Sequence, residues 1–231
     1  MNNPEYAEKL KSILGLRYEP VAVRLVRENE PDPVGYEVPE KQLSHCQSVM
    51  AAKAGKSYYL PSDMHGCNNG ASSLGMKEKS EKIASGEFYY DFGMHDTQEA
   101  AAAMVATRAE LPFKTKGSIV TPLAKADFVP DSVIIVDVPE VIYWFVPLKT
   151  HKEGGRANFT TAPFNAVCGD VTAFPIIHND VNVSIGCYGC RRRSDIKRDE
   201  MIVGFPGSML PDIVDTLMKY RDGVLTKAKR D

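Results

Sequence analysis

Five cysteines carry the least ordinary chemistry in this chain: Cys46, Cys67, Cys168, Cys187 and Cys190. A thiol that stays reduced is a small buried hydrophobe, a redox nucleophile or a metal ligand. Their odd number and wide scatter argue against a disulfide framework. Cys187-Tyr188-Gly189-Cys190 is a CxxC, a spacing that lets two thiolates face one atom. It suits zinc, an iron–sulfur cluster or a redox pair. Arg191, Arg192 and Arg193 follow it and would stabilise thiolates or neutralise a negatively charged cluster. A second CxxC, which would point firmly to zinc, is absent.

Cys67 lies in Met64-His65-Gly66-Cys67-Asn68-Asn69-Gly70. Gly66 and Gly70 let the backbone come close to a bound group, with amides as donors to cluster sulfurs. Burial beneath a long loop is the plainer role for that thiol. Cys46, in Ser44-His45-Cys46-Gln47, falls in helical phase with Leu43 and Met50, and taken alone it reads as a core residue. Cys168, in Ala166-Val167-Cys168-Gly169-Asp170, is equally open between packing and function. Thiols from separate segments can still converge, because cluster ligands need not be sequential.

Other candidates rank lower. His45 and His65 neighbour cysteines and could ligate or tune a centre, whereas His95, His151 and His178 stand near turns. The chain has no HExxH, P-loop lysine motif, GxSxG or well-placed GxGxxG. Gly154-Gly155-Arg156 would grip an anion in one reading and end a helix in the other. Asp137 and Glu140 flank Pro139 near a strand end, where catalytic carboxylates often sit; charge at a helix N-terminus is the commoner explanation.

Composition narrows the class. With 28 Lys and Arg against 30 Asp and Glu, the net charge of −2 rules out a basic nucleic-acid footprint as the leading idea. The longest apolar stretches, Val133 to Val136 and Val141 to Pro147, are far short of a membrane span. The start, MNNPEYAEKL, shows no basic or apolar signal region, so a cytoplasmic protein is expected, with no membrane partner.

The elements that must position the thiols follow from periodicity. Asn3 is the expected cap of a helix with Tyr6, Leu10, Ile13 and Leu14 on one face and Gly15 as its stop. Helices are also expected over Lys41 to Lys53, Lys77 to Ala84 and Pro139 to Leu148. An alanine-rich helix should open with an Asp96/Glu99 box, and a last one carries the stripe Leu210, Ile213, Val214, Leu217 and Met218, with Ser208 as cap and Gly223 following. Strands are expected at Val21 to Val26, Tyr58 to Leu60, Ser118 to Leu123, Ser132 to Val138, Ala157 to Thr161, Val181 to Ile185 and Met201 to Phe205. The stretch from Pro61 to Gly75 should be loop, with room for a short helix near its end, and the tail Lys227 to Asp231 should fray. Together these give a mixed α/β chain of the α+β kind: one domain over residues 1–231, with a five- or six-stranded mixed sheet and flanking helices.

Several short motifs in combination resemble a prokaryotic family, domain of unknown function 169. They are Pro20-Val21-Ala22-Val23, the Cys46 helix, Cys67 leading to Gly75, and Lys82-Ile83-Ala84-Ser85-Gly86-Glu87-Phe88-Tyr89. Glu153-Gly154-Gly155-Arg156, Ala166-Val167-Cys168 and Cys187-Tyr188-Gly189 with the following arginines complete the set. The resemblance implies family positions for Cys46, Cys67, Cys168 and Cys187, treats Cys190 as particular to this chain, and raises Arg192 as a partner. It implies no reaction.

The leading expectation is a [4Fe–4S] cluster held by three or four of those cysteines, with Arg191, Arg192 and Arg193 and the amides near Gly66 and Gly70 around it. With three ligands, one iron would be open to substrate. The alternatives are zinc, a cofactor-free thiol protein, or a small-molecule module in which Gly154, Gly155 and Arg156 hold an anion. A small-molecule substrate or a redox partner is implied, and self-association stays open.

Overall fold

Capping side chains decide where the first two helices begin. In the computed structural model, which describes residues 1–228, the Asn2 side chain accepts the Glu5 N–H and the Glu5 carboxylate accepts the Asn2 N–H, which opens α1 (Asn3–Leu14). Asn3, the expected cap, instead donates to the carbonyls of Ala126 and Phe128. Gly15 ends α1 at φ 67°, a conformation that costs a residue without Cβ little. After β1 (Val21–Arg27) comes α2 (His45–Lys53). It starts four residues later than expected because Ser44 caps it, accepting from the Gln47 N–H while the Gln47 side chain accepts from the Ser44 N–H.

The chain continues through β2 (Tyr58–Pro61), α3 (Asn68–Ser73), α4 (Glu81–Ala84), α5 (Glu87–Tyr90) and α6 (Gln98–Ala106). Ser80 and Thr97 cap α4 and α6, so α4 is shorter than the expected Lys77 to Ala84 and Asp96 is not the cap of α6. Then follow β3 (Thr115–Pro122), β4 (Ser132–Asp137), α7 (Pro139–Ile142) and α8 (Phe145–Thr150), the last two dividing the expected helix at Pro139. A π-helical segment, Ala166–Ala173, runs into α9 (Phe174–His178). The remainder is β5 (Asn182–Ser184), α10 (Tyr188–Arg193), β6 (Met201–Pro206) and α11 (Leu210–Tyr220).

Six strands form one sheet in the order β2-β3-β1-β4-β6-β5. The α+β class holds, but every ladder is antiparallel where a mixed sheet was expected. Successive residues of β1 face opposite layers. Ala22 joins Leu10 of α1 and Leu217 of α11, while Val21 and Val23 join Val49 of α2, Val167 and Cys190. With helices on both faces, β4 is buried at every position, which is why its sequence reads as a β-branched run without polar alternation. Cys168 and Cys190 belong to the second of these layers, and Cys46 and Cys187 pack against it.

Three expectations fail for local reasons. Ala157 to Thr161 is not a strand: the Asn182 side-chain amide takes both backbone groups of Thr160 and so replaces a ladder partner. Ser208 bonds Asn179 rather than capping α11, and Gly223 lies within a wide helical turn, Arg221–Leu225. The tail, from residue 229 on, lies outside the described residues.

The π-helical segment fits against the sheet because of one glycine. A Cβ at Gly204 of β6 would overlap the Val171 carbonyl, which also accepts from Ser132 Oγ at 3.1 Å. That close approach presses the segment carrying Cys168 onto the sheet.

Candidate functional site

Five thiols from four stretches of chain line one cavity of about 100 Å³. That is several times the ~10–15 Å³ one water needs. Cys46 sits in the first turn of α2, so the Ser44 cap that starts the helix also places its sulfur, with Ser44 Oγ 3.0 Å away. Cys67 caps α3 and accepts from the Gly70 N–H at 3.4 Å. Cys187 caps α10 in the same way, accepting from the Cys190 N–H at 3.4 Å. Cys168 comes from the π-helical segment. Cys190, one turn along α10, is fully buried and lies 3.4 Å from Ser194 Oγ.

The opposite wall is aromatic. Phe88, Tyr89 and Phe92 come from α5 and the turn after it, Phe164 precedes the π-helical segment, and Tyr188 opens α10. The rings of Phe92 and Tyr188 meet edge-on at 5.5 Å, and Tyr89 and Phe164 lie 4.2 Å apart. The wall is apolar on its inner side, but Phe92 and Tyr188 are exposed, so they stand at the mouth of the cavity. Gly70 makes the floor tight: a Cβ there would stand 3.1 Å from His65 Cε1 and 3.5 Å from Cys168 Sγ.

Electrostatics favour protonated thiols while nothing is bound. Burial pushes Cys67, Cys168 and Cys187 above the usual thiol range, although the N–H bonds to Cys67 and Cys187 and the charge of Arg193 near Cys67 work the other way. The hydrogen bond between Cys46 and Cys190, with burial, holds Cys46 well above that range, and the same bond holds Cys190 below it. His45 lines the cavity and is lowered to about 3 by burial and then by His65; burial and Lys77 lower His65 to about 4. Both imidazoles are therefore neutral at pH 7. Thr172 Oγ1 donates to the Val167 carbonyl and so accepts from His45 Nε2–H at 3.0 Å, which leaves Nδ1 unprotonated and without a partner.

A tetrahedral zinc ion draws its thiolates to ~2.3 Å from one point. Among the described residues, no three His, Cys, Asp or Glu side chains are grouped closely enough for a single ion. A cubane asks something different, since each of its four irons takes its own thiolate at a separate corner. The sulfurs line one cavity without grouping about one position.

The sequence-level partners divide. Arg193, not Arg191 or Arg192, lines the cavity. Arg191 turns away and donates to three carbonyls, those of Ile185, Lys197 and Glu200, so it fastens α10 to the chain on either side. Arg192 Nη1 bonds the Tyr188 hydroxyl at 2.6 Å and reaches the cavity only through that ring. Gly66 bonds the Leu43 carbonyl and is not part of the lining, whereas Gly70 is. Arg191→Ala should loosen α10 and lower stability by about 1 kcal/mol, after discount for its exposure, with Arg191→Lys restoring only part. The denaturant midpoint of the two variants checks this.

Asp137 is fully buried and accepts from Arg17 N and Nε and from its neighbour Val138 N, which gives it a structural role. Gly154 and Gly155 take left-handed conformations (φ 69° and 77°), and the Gly154 N–H bonds the Thr150 carbonyl, as an ending after α8 requires. Sequence reasoning missed the aromatic wall and did not separate Arg193 from the two arginines before it. The run Phe88-Tyr89-Tyr90-Asp91-Phe92 was the available signal for the wall.

Comparison with known proteins agrees over nearly the full length. A model of the family domain of unknown function 169, described as "Uncharacterised ArCR", matches residues 9–216. The chain is 30% identical over 219 residues to "Uncharacterized protein MJ0308" of Methanocaldococcus jannaschii, covering 94% of each. No solved structure matches.

Proposed function

The chain belongs to the family domain of unknown function 169, and from that premise we propose that it binds a [4Fe–4S] cluster through Cys46, Cys67, Cys168 and Cys187. One observation carries the reading: thiols far apart in sequence share a single cavity, opposite an aromatic wall. Packing alone gives no reason for α2, α3, the π-helical segment and α10 all to turn a cysteine to the same cavity. Cys190 is assigned as the hydrogen-bond partner of Cys46 rather than as a ligand.

When bound, such a group supplies one-electron transfer and, if one thiolate is withdrawn, an open iron for a small-molecule substrate. The chain's own part is definable. The Gly70 and Cys190 amides donate to the sulfurs of Cys67 and Cys187, Arg193 offsets negative charge, and the aromatic wall gives the cavity an apolar side. Binding must strip protons from thiols whose burial keeps them protonated, so loading releases protons to solvent. Free thiols and this chemistry fit a reducing compartment, the cytoplasm. Among the described residues no helix is long and apolar enough to cross a membrane.

A second reading, a cofactor-free thiol protein, draws on Cys190, the one thiol held below its usual range. Its burial opposes that role, because a reactive thiolate must be reached. The visible absorption spectrum of freshly isolated anaerobic protein separates the two readings. Broad sulfur-to-iron absorption that bleaches on reduction is expected. A colourless, folded protein with one fast-alkylating cysteine would instead establish the thiol reading.

A further inference from the structure

Asn165 enters the π-helical segment at φ 63°, in the left-handed region that few residues other than glycine adopt. Asparagine tolerates it because its short side chain bonds locally. Here that side chain reaches further. It is 7% exposed, and its oxygen accepts from Tyr89 Oη at 3.0 Å. Its nitrogen lies 3.2 Å from the Asn69 carbonyl, 3.1 Å from Ser73 Oγ and 3.4 Å from Cys168 Sγ. The Asn69 carbonyl can only accept, which fixes the nitrogen on that side and leaves the second N–H to be shared between Ser73 Oγ and the Cys168 sulfur. The Asn165 backbone carbonyl also accepts from Gly169 N at 2.8 Å, closing the first turn around Cys168.

One residue therefore joins three elements: α3, whose cap is Cys67; α5, through Tyr89 of the aromatic wall; and the segment that bears Cys168. We infer that Asn165 is a positioning residue whose amide fixes the Cys168 sulfur relative to Cys67 and donates an N–H to it when it ligates. This deepens the proposed function and rests on it for the identity of the ligand. An amide donor beside a ligating sulfur raises a cluster's reduction potential, since hydrogen bonds to the sulfurs help to set it. Through Tyr89, the same amide ties the aromatic wall to the sulfur, so a shift of the wall is felt at Cys168.

Two variants of the full chain separate this role from backbone capping. Asn165→Gly keeps the left-handed backbone and deletes the amide. Asn165→Asp keeps the shape, tolerates the backbone and puts a carboxylate where the N–H stood. Each is reconstituted anaerobically with iron and sulfide, and its midpoint potential is read by spectroscopic titration. The metal-free forms are treated with iodoacetamide, and alkylation at each cysteine is followed by peptide mass. In metal-free Asn165→Gly, Cys168 should be alkylated about tenfold faster than in the parent, with Cys187 within about twofold, because the restraint on one sulfur alone is lost. Loaded Asn165→Gly should show a lower midpoint potential, and Asn165→Asp should retain about a fifth or less of the parent's iron.

Parent-like alkylation at Cys168 together with a parent-like potential in either folded variant would overturn the inference. Should the parent itself take up no iron and sulfide, the cluster reading falls. The alkylation ratio then still decides whether Asn165 positions Cys168.

Discussion

The Cys67→Ser/Cys168→Ser double variant, isolated without oxygen, is expected to hold less than about one-tenth of the parent's iron and acid-labile sulfide. These two residues are chosen because they come from α3 and the π-helical segment and because Gly70 brings the backbone of one close to the sulfur of the other. Losing both leaves only Cys46 and Cys187 in place. A serine hydroxyl matches a thiol in shape but is a far poorer ligand for iron, so the fold should survive while the ligand set does not. Cys190→Ser is the companion measurement. If that sulfur serves only as a partner to Cys46, the variant should keep most of its iron and absorption. Equal loss in both variants would mean that Cys190 ligates and one of the other four does not. Wild-type iron in the double variant would place the metal elsewhere.

Lys53→Met should cost about 3–5 kcal/mol, the usual consequence of removing one partner from a buried ion pair. Lys53 Nζ lies 2.7 Å from Glu200 Oε2, with 4% and 0% of the two side chains exposed. Glu200 also accepts from Lys197 N at 2.7 Å and lies 3.6 Å from Arg17 Nη2, so it cannot move to water without undoing its surroundings. Lys53 ends α2, the helix that starts with Cys46. Glu200 precedes β6, and its carbonyl takes one of the Arg191 bonds that hold α10. The pair thus ties the element bearing Cys46 to the stretch bearing Cys187. The denaturant midpoint of Lys53→Met should fall sharply, while Lys53→Met/Glu200→Gln, which leaves no bare charge, should recover a large part of the loss. A double variant as unstable as the single would show that shape, not charge, makes Lys53 necessary.

Much of the sheet and the outer helices were legible in the sequence. The strands of Val21, Tyr58, Ser132 and Met201 announced themselves by β-branched runs, and α1 and α11 by apolar stripes. Helix starts were harder, because Asn2, Ser44 and Thr97 compete with equally polar neighbours, and only the side chain that finds an N–H becomes the cap. The π-helical segment was not legible. Val167, Val171 and Thr172 favour strands, Gly169 favours neither helix nor strand, and the segment holds its shape through Gly204 and Ser132 on other strands. Cys168 could therefore be suspected but not placed.

The candidate site was half legible. The cysteines themselves, and the thought that they converge, came from residue type and from resemblance to the family. Which arginine faces the cavity did not, since a turn of α10 separates the roles of three identical neighbours. Arg191 is drawn to backbone carbonyls and Arg192 to a phenol, while Arg193 lines the cavity. Asn165 gave no sequence signal because its four side-chain contacts reach three different parts of the chain.

Iron and acid-labile sulfide, assayed per folded chain after strictly anaerobic purification, bear most immediately on what the gathered thiols are for. The account predicts about four of each, with absorption that bleaches on reduction. Folded protein containing neither, after reconstitution with iron and sulfide has also been attempted, would contradict it.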